Sequence, residues 1–480
     1  MKPLYSILLA LLLCSCNSKL PDAAETSEPL SIFPDYTGVS IPPNIAPLRF
    51  ALLSPAKEAL AVITSAGGEV LVVKARKGEF RIPRAGWKRM TKAGTSLSIT
   101  VMARNEAWVK YPSFDIDVAD EPVDPYIAYR LIEPGYVLWN KMGIYQRRLD
   151  DFSESAVMEN RMTGNNCMNC HSFCMQDPNR MLFHMREKFA GTITVINGQI
   201  EKLNTKTDRT ISPLVYPSWH PSGRYVAFSV NQTNQGFHPN DPNRVEVFDA
   251  ASDVVVYDVE KHEIITSPVI SSAASFETFP TFSPDGRTLY FCSAEAHPMP
   301  TEFRKVKYSL CSIAFDPDAR SFGAATDTLV SAGLTEKSVS FPRVSPDGRF
   351  LLYTQSGYGN FSIWHKDADL RMIRLADKTD IPVDVLNSPD VESYHSWSSN
   401  SRWIVFSSRR LDGLYTRPFI ARIGPDGVPS KPFLLPQKDT GFYHRLMKSY
   451  NIPEFVSGKI KVDSRSIAVK AKKDPGINVK

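Results

Sequence analysis

The hydrophobic positions of this chain come in short runs of period near two, broken by Gly, Pro and Asp, which predicts strands rather than helices. Residues 60–64, 69–74 and 97–103 are rich in Val, Ile and Leu, and Gly67-Gly68 separates the first two. With no convincing helical period between them, residues 31–118 read as a small β-sandwich. Residues 119–185 carry Pro122, Pro125 and Pro134 among the aromatics Tyr126, Tyr129, Tyr136, Trp139 and Tyr145. That segment reads as a connector packed against both neighbours.

From 186 to 456 one unit recurs. Tyr216-Pro217-Ser218-Trp219-His220-Pro221-Ser222-Gly223-Arg224 runs into the apolar stretch 225–230. Phe279-Pro280-Thr281-Phe282-Ser283-Pro284-Asp285-Gly286-Arg287 runs into 288–293. Phe341-Pro342-Arg343-Val344-Ser345-Pro346-Asp347-Gly348-Arg349 and Tyr394-His395-Ser396-Trp397-Ser398-Ser399-Asn400-Ser401-Arg402 do the same. Each unit is strand, tight turn, strand. Pro sets φ for the turn, Asp bonds its backbone, and Gly accepts positive φ. Repetition at this scale predicts radial blades around an axis. Four units close poorly, so the segment around Cys167–His171 with residues 191–203 is expected to add a fifth, and flanking strands a sixth.

Length and charge change the picture little. The 480 residues suit two or three domains. The net charge of +5 sits in the tail 457–480, which holds seven Lys or Arg against two Asp. Without it and Lys2 the body is close to neutral, so nucleic-acid binding has no support.

The first residues speak to the compartment. Lys2 precedes an apolar stretch at 4–13, too short to span a bilayer. Leu13-Cys14-Ser15-Cys16 resembles a bacterial lipobox, with Cys16 taking the lipid. Residues 1–15 are thus expected to be a lipoprotein signal, 16–30 a tether and 457–480 a basic tail. A lipoprotein of the outer membrane, facing periplasm or surface, follows.

One motif carries chemistry. Cys167-Met168-Asn169-Cys170-His171 has the spacing by which two thiols attach haem c and the following His binds the iron. One covalent haem c is expected, on Cys167 and Cys170, with His171 as axial ligand. The competing readings are a redox thiol pair, a small-loop disulfide and a zinc site; the last lacks a second ligand pair. For the sixth position His184 is the candidate, reached after the turn Asp177-Pro178-Asn179. Met162, Met175, Met181 and Met185 are the thioether alternatives, and a distant or absent ligand is the third. Cys174, Cys292 and Cys311 remain, and a bridge between the last two is weighed against buried free thiols. His395, Arg409, Arg410, Tyr415 and Arg417 are the candidates for a cluster in a blade loop at the propeller centre, with blade packing and surface charge as the favoured reading.

A resemblance extends over most of the chain. It is carried by Asp35-Tyr36-Thr37-Gly38-Val39, Tyr129-Arg130-Leu131-Ile132-Glu133-Pro134-Gly135-Tyr136, Asn169-Cys170-His171-Ser172-Phe173, Ser407-Ser408-Arg409-Arg410-Leu411-Asp412-Gly413 and Tyr450-Asn451-Ile452-Pro453-Glu454-Phe455. It resembles TolB-like propeller lipoproteins of Bacteroidetes-type bacteria, often labelled cytochrome c biogenesis proteins. The resemblance implies an all-β chain: sandwich, connector with haem loop, and a TolB-like β-propeller of five or six blades over 186–456. Three functions remain open: electron transfer to a redox protein of the envelope, a scaffold binding protein or glycan, and a propeller-centred oxidoreductase.

Overall fold

The computed structural model describes residues 20–133, 141–238 and 240–480. The lipobox with Cys14 and Cys16 lies outside them, as do Pro134, Gly135, Tyr136 and Trp139 of the expected connector.

Among the described residues, six sheets repeat one plan, a β-propeller. Sheet 1 joins Tyr126–Ile132, Gly143–Arg148 and Glu154–Glu159 to Ser449–Val456, near the other end of the chain. Sheet 2 runs Met168–Phe173, Arg180–Met185, Gly191–Ile196, Gln199–Asn204. Sheets 3 to 6 begin with Leu214–Trp219, Ser275–Phe282, Ser338–Val344 and Glu392–Trp397. These first strands pack in order around an axis, and Ser449–Val456 closes the ring between sheets 6 and 2. Pairing the two chain ends within one sheet removes the open edge that a linear array would leave.

The repeat has a local cause. In each Ser-Pro-Asp-Gly turn the Asp accepts from the amide two residues on, Asp285 from Arg287 at 3.0 Å and Asp347 from Arg349 at 3.1 Å. Gly286 and Gly348 take φ of 72° and 73°. Each innermost strand also carries a bulge, a register shift at a residue with positive φ. The six are Cys170, Tyr216, Phe279, Phe341, Tyr394 and Ile452, with φ between 49° and 54°. Each aims a side chain at the axis. Phe279 meets Tyr216 at 4.6 Å and Phe341 at 4.0 Å, and Phe341 meets Tyr394 at 4.9 Å.

Three boundaries differ from the sequence reading. Most of the described part of the 119–185 connector is sheet: sheet 1 takes 126–132, 143–148 and 154–159 and Met168–Phe173 opens sheet 2, so the ring starts before 186. The partner that makes 126–132 a central strand lies more than 300 positions away and leaves no local signal. The 457–480 tail is docked. Asp463 caps a helix Ser464–Lys473 that buries Ile467, Ala468 and Ala471 against sheets 1 and 2, and Ile477–Asn478 extends sheet 2. The region 31–118 forms a three-stranded sheet and six strands of a seven-stranded one, whose remaining strand, Ala24–Glu25, pairs with Val109 and Lys110 and so docks part of the expected tether; it also holds a helix, Arg84–Met90, whose Trp87 and Met90 are buried. It shares a continuous apolar core with sheets 5 and 6. Tyr36 hydroxyl to Leu434 carbonyl at 3.2 Å and Lys431 Nζ to Asp35 at 2.7 Å tie the two.

Candidate functional site

At the face where the innermost strands begin, the axis opens into a cavity of about 510 Å3. Below it the six bulge residues narrow the axis to a waist. Sheet 3 roofs the cavity. Its middle strands, Tyr225–Phe237 and Val245–Asp258, run seven residues past Leu214, the start of their own inner strand. Thr233, Gln235, Phe237, Val245 and Val247 face the cavity from this hairpin. Glu246 anchors it across to sheet 5, accepting from His365 Nε2 at 3.0 Å and from the Tyr358 hydroxyl. Asp249 accepts from Asn231 at 2.8 Å and Asn360 at 2.5 Å.

The sequence-predicted cysteines meet here. Cys167 and Cys170 both line the cavity as free, buried thiols. At the bulge, the other five strands present Tyr216, Phe279, Phe341, Tyr394 and Ile452; sheet 2 presents the Cys170 thiol. His171 follows at the position of Pro217, Pro280, Pro342, His395 and Pro453. It lines the waist, not the wide cavity. The ring is 2% exposed and neither nitrogen has a hydrogen-bond partner of ordinary geometry. Burial, helped by the charge of Arg130, pulls its pKa down to about 3, against the backbone of Ile452. The imidazole is neutral at pH 7, with a lone pair to offer.

Three guanidiniums line the same cavity: Arg130, Arg186 and Arg409. Arg130 donates to the Met168 carbonyl at 3.1 Å. The Asn169 side-chain oxygen accepts from Arg186 Nε at 3.2 Å. Burial raises both thiol pKa values, and Arg130 and Arg186 oppose it, favouring thiolate. Sequence reasoning missed all three roles. Arg409, assigned there to packing and surface charge, is 4% exposed and faces the cavity. Its neighbours fit the simpler reading: Arg410 pairs with Glu392 at 3.0 Å and Arg417 donates to three carbonyls.

The candidate sixth ligands stand elsewhere. His184 pairs across from Asn169, one strand further from the axis, and is 3% exposed. Its Nδ1 lies 3.3 Å from the Thr192 hydroxyl, and it does not line the cavity. The Asp177 turn does fold the chain back, but into a hairpin that carries His184 outward. Met181 and Met185 are buried in the core between sheets 1 and 2, with Met162 packed against it. Met175 lines the far mouth of the axis. Met142 is the thioether in the cavity lining, its sulfur 3.4 Å from the Met168 amide.

Cys292 and Cys311 do not bridge. Cys292 opposes Leu310 and Cys311 opposes Phe291, so the two thiols face opposite sides of sheet 4, in different cores. Cys174 is free and packs against the sheet 2 and 3 core. Among the described residues no group of three His, Cys, Asp or Glu is arranged for a bare metal ion.

The residues fit haem c: two thiols converge on one cavity, a buried neutral imidazole with no hydrogen bond of ordinary geometry adjoins them, and cations offset carboxylates. Volume agrees, since cofactor pockets measure about 300–1,000 Å3.

No family model and no curated relative matches the chain. Among solved structures it is similar to Kuenenia stuttgartiensis hydrazine synthase, at 11% identity and TM-score 0.34, over 54% of this chain and 64% of that one. A hypothetical selenium-binding protein from Sulfolobus tokodaii gives 8% identity and TM-score 0.40, over 86% and 96%. The Pseudomonas aeruginosa periplasmic gluconolactonase gives 14% and 0.34, over 65% and 97%. The chain thus spans less than two thirds of the hydrazine synthase chain.

Proposed function

We propose that this chain is a lipid-anchored redox protein of the bacterial envelope, of the TolB-like propeller kind, holding one covalent haem c in the mouth of its propeller. The observation that carries the reading is the Cys170 bulge. Five strands fill the axial position with an aromatic or Ile; the sixth supplies a thiol, with Cys167 on the same cavity and His171 directly after it. Chance packing does not ask for that substitution in one sheet and for a buried imidazole with no hydrogen bond of ordinary geometry beside it.

The roles divide as follows. Cys167 and Cys170 form the thioether links, helped by Arg130 and Arg186, which favour the thiolates. His171, held neutral, offers its ring nitrogen from the waist. The sheet 3 hairpin limits water above the cavity. When bound, the group supplies one-electron transfer, with a potential set by axial ligands, burial and nearby charge. Lipid on Cys16 tethers the molecule to the outer membrane, where a redox protein is its partner.

The test is the full chain made with cytochrome c maturation factors. Haem stain should survive denaturing electrophoresis and vanish in Cys167→Ser/Cys170→Ser. Haem extracted from wild type by acidic butanone would refute covalent attachment. Cys16→Ala should release the protein from membranes or leave it unprocessed; a mature protein without lipid refutes the anchor.

A further inference from the structure

Arg409 has no obvious reason to be where it is. Its side chain is almost wholly buried, yet among the described residues no carboxylate lies within 4.0 Å of its guanidinium, and its Nε has no hydrogen-bond partner. Asp390 and Asp412 act on it only from further away. Burying a cation without a partner is costly, and natural proteins keep such a group where something meets it. The guanidinium carbon lies over the Trp364 ring, 3.3 Å from its centroid, and both residues line the cavity. A flat fork held by one face presents its edge to a planar, bidentate acceptor, which is carboxylate geometry.

Position within the ring adds the second argument. The cysteines belong to sheet 2. Trp364 lies between strands Phe350–Ser356 and Asp369–Arg374 of sheet 5, opposite sheet 2 in a ring of six. Arg409 follows Trp403–Ser408 of sheet 6, beside it. In haem the two vinyl-bearing rings and the two propionate-bearing rings occupy opposite edges. A group bonded to Cys167 and Cys170 therefore sends its carboxylates across the cavity. Arg130 and Arg186 stay on the cysteine side, engaged by the Met168 carbonyl and Asn169.

We propose that Arg409, clamped by Trp364, is the carboxylate-binding residue of the cavity and holds the haem propionates on the wall across from the two cysteines. The proposal rests on the haem reading above.

The test compares wild type, Arg409→Met and Arg409→Lys as full chains matured with haem, scored first by haem stain and then by reduction potential. Arg409→Met should keep its covalent haem and shift to lower potential, because removing the cation disfavours the reduced, less positive state. Arg409→Lys should recover most of that shift. A potential unchanged in stained Arg409→Met overturns the proposal. So does a shift in Arg409→Lys as large as in Arg409→Met, which marks packing on Trp364 as the cause. A wild-type potential that moves with added acetate while Arg409→Met does not would assign the site to free carboxylates, and also overturns it. Should Arg409→Met not fold, Arg409→Gln carries the same comparison. Wild type without stain fails the haem reading itself, a different result from any of these.

Discussion

His184 separates a packing role from a ligand role, and the separation can be measured through pH. The ring is enclosed in sheet 2 against the Thr192 hydroxyl, and burial, with Arg186 nearby, lowers its pKa to about 3 from the ordinary 6.5. In the unfolded chain it protonates near 6.5; in the folded chain it does not until about 3. Between those values the unfolded state holds one more proton, so stability falls as pH falls, by about 1.4 kcal/mol per pH unit for one such group. Above 6.5 the effect vanishes. His171 and His395 are buried and lowered to about 3 in the same way, whereas burial raises the carboxyls of Asp249 and Glu277 to about 7 and of Glu454 to about 8, which act with the opposite sign; the readout for His184 is therefore the difference its replacement makes to the slope. His184→Gln keeps a polar neighbour for Thr192 and cannot titrate. Urea unfolding of the Cys167→Ser/Cys170→Ser protein at pH 5 to 7.5, with and without His184→Gln, should show the slope reduced by one proton. In the haem-loaded protein the same substitution should leave the visible spectrum and carbon monoxide response as in wild type. An unchanged slope refutes the burial argument. A change from low-spin to carbon-monoxide-binding haem refutes the placement of His184 away from the iron.

Other expectations follow from single residues. Gly286→Ala puts a Cβ 2.0 Å from His220 Nε2 at φ +72°, whereas Gly164→Ala meets only its φ of +63° and open space. The first should cost roughly 1–3 kcal/mol in urea unfolding and clearly more than the second; equal costs would contradict the turn geometry. Glu246→Ala leaves His365 Nε2 and the Tyr358 hydroxyl without their acceptor, at about 1–3 kcal/mol for the buried His365 and less for the half-buried Tyr358. Hydrogen exchange in 231–237 and 245–249 should quicken while sheet 6 stays protected; uniform loss of protection would mean the hairpin is not a separate roof. Under oxidant the native protein should form no bond between Cys292 and Cys311, and a crosslinked peptide pair would overturn the register of sheet 4.

What the sequence made legible was local. The turn residues of four sheets lie within nine positions of one another, and the Cys167 motif within five, so each reads directly from the chain. What stayed hidden depends on closure. Tyr126–Ile132 is a central strand only because Ser449–Val456 returns to it. Arg409 faces the cysteines only because six sheets form a ring. His184 shows the limit from the other side: thirteen residues are enough to turn back towards His171, but a β-hairpin places the returning strand outward from the axis. The place of 168–173 as an innermost strand was half visible, since Cys170-His171 stands where three of the other repeats carry an aromatic and Pro.

The central claim is that Cys167 and Cys170 jointly bind one haem in the propeller mouth. Peptide mass spectrometry of the matured full chain tests it most directly. Trypsin cleaves after Arg161 and Arg180, releasing residues 162–180 with Cys167, Cys170 and Cys174. This peptide should appear at the mass of one added haem, with Cys174 alone open to alkylation after denaturation. The same peptide at its unmodified mass, with all three thiols alkylated, would contradict it.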